Sequence, residues 1–216
     1  MKRIDFYFDV ISPYAWLAFE RLPQVLEGLS VEVRYQPVLL AGLLAHWGTK
    51  GPAETAPKRA WTYRHVAWLA AQQGCPLQLP RPHPFNPLAL QRLALAAAPA
   101  GGTPNRRTVE LLFHHVWCRD GADPNQPAAL VVLTAAVAPQ RDATGDEIKA
   151  ELRQRTEAAA ASGLFGVPSL VFEGRSFFGL DSLPMLRAAL QGEAWFAGPA
   201  WDEAGQQAPG QQRTPR

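Results

Sequence analysis

The chain has 216 residues, 47% of them apolar and 19% charged, with a formal net charge of +2. That is the profile of an ordinary globular chain, long enough to bury a sizeable core without staples. Its Lys and Arg never form a run, and no stretch approaches the ~18 apolar residues needed to cross a bilayer. Neither a nucleic-acid surface nor a membrane span is therefore expected.

Lys2 and Arg3 are followed by Asp5 and Asp9 rather than by an apolar segment, so no secretory leader is expected and the cytoplasm is the expected compartment. Ile4-Asp5-Phe6-Tyr7-Phe8 alternates at period two and predicts a strand. Ser12 and Pro13 then read as N-cap and first helical residue, because proline has no N–H to leave unsatisfied there. Ala15, Ala18, Leu22, Val25 and Leu26 recur at helical spacing, with a kink expected at Pro23. Val31 to Tyr35 alternates again as a second strand, and a strand-helix-strand unit makes the two strands parallel.

From about residue 44 to 160 the strand signals stop. Helices are predicted over 58–73, from Asn86-Pro87 onward, over 104–118 and over 127–138. Thr144-Gly145-Asp146-Glu147 reads as a capping box opening a further helix, with Gly163 as its stop. Trp61, His65 and Trp68 share one face of the 58–73 helix. They read as core of this segment, or as a face turned to an aromatic substrate. Ser169 to Phe172 and Arg175 to Phe178 flank Glu173-Gly174, a hairpin with a two-residue turn. Asp181 to Leu190 predicts a last helix with Asp181 as N-cap. The Gln-, Gly- and Pro-rich tail predicts disorder. The layout is βαβ over 1–43, a helical insertion over 44–160, ββα over 161–196 and a tail over 197–216.

The side-chain chemistry is sparse. Cys75 and Cys118 form no C-x-x-C and read as idle thiols. His114 and His115 are adjacent and diverge on a helix, and His46, His65 and His83 lack ligand spacing, so no metal is expected. No phosphate-binding glycine motif occurs. What remains is a serine at a helix start, beneath a strand, facing a late Val167-Pro168 strand. A thioredoxin-like fold would carry its redox cysteine at Ser12, and Ser12-Pro13-Tyr14-Ala15 has neither an attacking nor a resolving thiol. Dithiol exchange is therefore excluded at this site.

Three segments carry a resemblance: Phe6 through Ala18, Pro37-Val38-Leu39-Leu40, and Gly166-Val167-Pro168 through Gly179-Leu180-Asp181. Over about residues 1–195 the chain resembles the 2-hydroxychromene-2-carboxylate isomerases, relatives of kappa-class glutathione transferases and, more remotely, of DsbA-like oxidoreductases. The resemblance implies an α/β, thioredoxin-like (DsbA-like) fold with an inserted all-helical domain. It also implies bound glutathione, a small aromatic substrate and a homodimer. The implied glutathione contacts are Ser12, Pro13, Tyr14, Thr49, Lys58, Val167, Pro168, Leu180 and Asp181. Within that set Ser12 would bond the sulfur, and the Val167 backbone, with a cis bond to Pro168, would pair with the cysteinyl unit. Leu180 and Asp181 would hold the γ-glutamyl end, and Lys58 would lie near the substrate or the glycine carboxylate. Thr49 departs from the family's asparagine and loses an amide's paired donor and acceptor.

The implied reaction is a redox-neutral cis–trans isomerisation of 2-hydroxychromene-2-carboxylate, or a close aromatic-catabolic analogue. A borrowed thiolate adds to the conjugated system, the bond rotates, and the thiolate leaves. The catalytic residue implied is Ser12. The alternatives are a kappa-like glutathione transferase and a non-catalytic glutathione-binding protein. Each site residue also has a plain structural reading: Ser12 and Asp181 as helix caps, Lys58 as a solvated helix lysine, Tyr14 and Trp16 as packing.

Overall fold

The computed structural model describes residues 1–207 and 210. Strand β1 (Lys2–Phe8) buries Ile4, Phe6 and Phe8 completely. Helix α1 (Pro13–Leu26) leads to β2 (Val31–Pro37), which lies parallel to β1 from Lys2↔Val31 to Phe8↔Pro37. Strand β3 (Ser169–Phe172) pairs antiparallel with the other edge of β1, and β4 (Arg175–Phe178) folds back on β3. The order is β2-β1-β3-β4. Glu173 and Gly174 at the hairpin turn have φ of 49° and 76°, the two left-handed residues that a tight two-residue turn needs.

Alternation along β1 sends side chains to both faces of the sheet. Ile4, Phe6 and Phe8 join Leu170, Phe172 and the α8 (Leu183–Gln191) residues Leu183 and Leu186. Tyr7 and Val171 point the other way, onto Ala159 and Ala160 of α7 (Asp146–Ala161). The sheet is thus covered on both sides.

Between β2 and α7 run α2 (Leu40–His46), α3 (Ala56–Gln73), α4 (Leu88–Ala96), α5 (Arg106–Trp117) and α6 (Pro127–Val137). Apart from a small cluster of Leu95 and Ala96 with Ile148 and Leu152 of α7, these helices pack largely into the cores that flank the sheet. Phe113 meets Phe8 at 5.5 Å between ring centroids, and Trp117 stacks on Trp16 at 6.2 Å. Leu90, Phe113 and Trp117 therefore belong to the same cluster as the sheet and α1. Burying each such side chain contributes about 1.5–3 kcal/mol, so the inserted helices stabilise the sheet directly.

Four local expectations are corrected. Thr144 makes no capping box: its hydroxyl donates to Asp142 Oδ1 at 2.7 Å, and Gly145 occupies the cap position of α7 without a side-chain bond. Asp181 is not the cap of α8. It lies in a short 3-10 turn, Leu180–Ser182, and Ser182 takes the cap position. Helix α4 begins at Leu88, because Asn86 Oδ1 accepts the Leu88 N–H at 3.0 Å and places Pro87 before the first turn. The segment expected to be disordered contains α10 (Ala200–Gly205), which follows α9 (Ala194–Ala197). Trp201 of α10 packs on Phe177 at 5.3 Å, an aromatic contact that composition does not reveal. Residues 208, 209 and 211–216 of that segment lie outside the described residues.

Candidate active site

The carboxyl end of β1 feeds the first turn of α1. Ser12 is buried there and caps the helix: its Oγ accepts the Ala15 N–H at 3.2 Å. The Ser12 hydroxyl also donates to the Val167 carbonyl at 3.4 Å, the long edge of hydrogen-bond range. Pro13 has no N–H, and Ala15 is committed to Ser12. The Tyr14 N–H is left as a first-turn donor with no described partner. A helix start with a polar hydroxyl and a free N–H favours negative charge.

Val167–Pro168 is a cis peptide. The Pro168 carbonyl accepts the Gly179 N–H at 2.9 Å, which draws Leu180 and Asp181 beside the same loop. Asp181 is exposed, and among the described residues it has no hydrogen-bond or ion-pair partner. Ser12, Val167, Pro168, Leu180 and Asp181 are therefore gathered at one end of the sheet. Thr49 and Lys58 are exposed, and no described bond ties either to Ser12. Thr49 follows α2, where its N–H bonds the Leu44 carbonyl. The neighbouring Trp47 Nε1 donates to the Leu164 carbonyl at 2.9 Å, joining that segment to the run into Val167.

Lys58 sits one turn from Thr62 on α3, whose buried stripe is Thr62, Val66 and Ala70. The expected role of Trp61, His65 and Trp68 as core is thereby corrected. Trp61 and Trp68 are 64% and 59% exposed. They stack on either side of His65, with centroids 5.9 and 6.3 Å away and planes within 17° and 13° of parallel. His65 Nδ1 lies 3.0 Å from the Tyr14 hydroxyl. The ladder is thus fastened to the first turn of α1, next to Ser12.

Four residues holding this loop escaped the sequence reading. Asp9 is wholly buried: Oδ1 accepts the Ile11 N–H at 3.1 Å and Oδ2 the Leu40 N–H at 2.8 Å. Burial nevertheless pushes its carboxyl up to about 7. Gln91 of α4, also wholly buried, donates to the carbonyls of Phe8 at 2.9 Å and Val38 at 2.8 Å, and its Oε1 accepts the Val10 N–H at 3.4 Å. Trp117 Nε1 donates to the Val10 carbonyl at 2.9 Å. His83 Nε2 donates to the Ile11 carbonyl at 2.9 Å, and its Nδ1 lies 2.8 Å from the Tyr63 hydroxyl. Burial lowers the His83 pKa, which favours the neutral ring with its proton on Nε2. The available signal was a polar Gln91, beside Arg92, in a stretch otherwise made of Leu and Ala.

No thiol stands in the site. Cys75 and Cys118 line a separate cavity of about 260 Å³ with Trp16, Glu20 and His114, further along α1. Burial and the Glu20 carboxylate push Cys118 up to about 12, so it stays a thiol. No helix among the described residues is long and apolar enough to cross a membrane.

Residues 3–191 match the family model of the DSBA-like thioredoxin domain. The chain is 28% identical over 197 residues to a 2-hydroxychromene-2-carboxylate isomerase of Sphingobium xenophagum, covering 88% of this chain and 98% of the relative. It is 26% identical over 212 residues to glutathione S-transferase kappa 1 of Homo sapiens, covering 90% of this chain and 92% of the relative. A solved 2-hydroxychromene-2-carboxylate isomerase superposes with a TM-score of 0.76 at 20% identity, over 95% of this chain and all of that one. Together with the β2-β1-β3-β4 sheet and the helix start facing a cis-proline loop, these matches place the chain in the DSBA-like thioredoxin family.

Proposed function

We propose that this chain is a glutathione-dependent cis–trans isomerase. Its substrate would be 2-hydroxychromene-2-carboxylate, opened to trans-o-hydroxybenzylidenepyruvate, or a close aromatic analogue. The observation that carries the reading is the Ser12 hydroxyl at the start of α1, in a site without a resident thiol.

The residues fit glutathione. The Tyr14 N–H is uncommitted, the Ser12 hydroxyl is only weakly held by Val167, and the exposed Asp181 carboxylate has no described partner for its charge. Bound glutathione would supply a thiolate that adds reversibly to the conjugated double bond and lets it rotate. Ser12 turns its proton from the Val167 carbonyl toward the sulfur, a charge-assisted bond contributing about 1.5–3 kcal/mol. The Tyr14 N–H and the partial positive charge of the helix start act in the same direction. Asp181 receives the γ-glutamyl ammonium, and Val167 offers backbone groups to the cysteinyl unit as an added strand. Lys58, with Thr49 nearby in sequence, would meet a carboxylate. The Trp61–His65–Trp68 ladder presents ring faces to a planar aromatic substrate.

The test follows the ultraviolet spectrum of 2-hydroxychromene-2-carboxylate with and without reduced glutathione. Turnover only with glutathione is expected; turnover without it would refute the borrowed nucleophile. The match to a kappa-class transferase over the same span favours a second reading, conjugation and release of the adduct. Consumption of glutathione with an electrophilic nitroarene, and no isomerisation, would select it.

A further inference from the structure

A second cavity, of about 530 Å³, opens between α2, α4 and α7, and Ser12 is not among its lining residues. Its volume lies within the ~300–1,000 Å³ of small-molecule sites. The walls are apolar: Leu88 from α4, and Leu152 and Ala160 from α7. Three cations line it as well, Arg92, Lys149 and Arg153, against one carboxylate, Glu157.

Arg92 distinguishes this cavity from a packing gap. Its Nε is buried with no hydrogen-bond partner among the described residues, although the side chain as a whole is only partly buried. The neighbouring half-buried arginines are fully committed. Arg141 pairs with Glu151 at 2.7 Å and with the Leu95 and Ala98 carbonyls, while Arg155 takes the other Glu151 oxygen at 2.8 Å. Glu151 is thus used up, and the other carboxylate on the cavity, Glu157, is exposed and makes no bond to Arg92 among the described residues. Lys149 has only the exposed Asp146, and Arg153 has no described partner. A partly buried guanidinium without an anion is costly, because its lost hydration is not replaced. An anion in the cavity would replace it with a charge-assisted bond.

We infer that this cavity binds an apolar monocarboxylate, with its carboxylate on Arg92 and its hydrocarbon body along Leu88, Leu152 and Ala160. The apolar walls exclude a small hydrated anion as the preferred occupant. The excess of cations excludes a neutral lipid alcohol.

The test is isothermal titration of the full chain with octanoate, 1-octanol and acetate. Octanoate should bind saturably at one site per chain, with octanol and acetate at least about tenfold weaker. Arg92→Gln should weaken octanoate about tenfold or more while its unfolding midpoint holds or rises, since an unpaired charge is removed. Arg153→Gln, at an exposed position, should also weaken it if Arg92→Gln proves poorly folded. Octanol binding as tightly as octanoate, or octanoate affinity unchanged in a folded Arg92→Gln chain, would overturn the assignment. So would displacement of octanoate by reduced glutathione, which would place the anion at Ser12. Octanoate that fails to saturate would overturn it as well.

Discussion

Replacing Asp9 by Asn should remove a pH dependence of stability that the buried carboxyl creates. Burial raises the group from 3.8 to about 7, against the opposing pull of the Leu40 and Ile11 N–H groups. Below pH 3.8 both folded and unfolded chains carry the proton, and the group adds no pH dependence. Between 3.8 and about 7 the folded chain keeps a proton that the unfolded chain has released. The unfolded state then binds fewer protons, so stability falls as pH rises. Three units of difference, at about 1.36 kcal/mol each, amount to about 4 kcal/mol lost by neutral pH. Other carboxyls act oppositely: Arg141 and Arg155 hold Glu151 below its usual range despite its burial. The informative quantity is therefore the difference between the Asp9→Asn chain and the parent, by urea unfolding at pH 4, 5.5, 7 and 8. Asn should gain on the parent by about 4 kcal/mol from the lowest to the highest pH. A difference flat across that range would refute the burial argument.

Ser12→Ala loses a helix cap, about 1 kcal/mol in denaturant unfolding, and should raise the thiol pKa of bound glutathione by about one to two units. Thiolate absorbance against pH reads the second effect, and an unchanged thiol pKa would remove Ser12 from the chemistry. Asp181→Ala should raise the apparent glutathione Kd with stability altered by no more than about 0.5 kcal/mol, because the side chain is exposed and has no partner among the described residues. An unaltered Kd would place the γ-glutamyl contact elsewhere. Trp61→Ala with Trp68→Ala should leave the melting temperature near that of the parent, both rings being solvent-facing, and raise KM for an aromatic substrate. Equal KM values would put that substrate off the ladder.

The first two strands were legible because they alternate at period two, and the β3-β4 hairpin because Glu173-Gly174 leaves few turn geometries open. The ends of helices were less so. Whether a side chain caps depends on which donor it finds, and Thr144 finds Asp142 instead of its own helix. The tryptophans on α3 misled for a related reason. The helix is anchored by the small residues Thr62, Val66 and Ala70, so ring size carried no information about which face is buried. At the candidate site, Ser12 and its facing proline loop could be placed from local pattern. The supports from Gln91, Trp117 and His83 could not, since each bonds a backbone atom more than 70 positions away.

Those three side chains bear on how such a fold can be rearranged. Between them, Gln91, Trp117 and His83 bond the Phe8, Val10 and Ile11 backbone, each from within the insertion. A thioredoxin-like core trimmed of residues 44–160 would therefore lose the clamp on the very turn that presents Ser12, besides the rings of Phe113 and Trp117. Exchanging insertions between relatives is constrained in the same way. A grafted helical segment must bring an amide, an indole and an imidazole to these three points, or the recipient's loop keeps no more of this clamp than Asp9's bonds to the Ile11 and Leu40 N–H groups. Module boundaries in the chain and mechanical boundaries in the molecule do not coincide here.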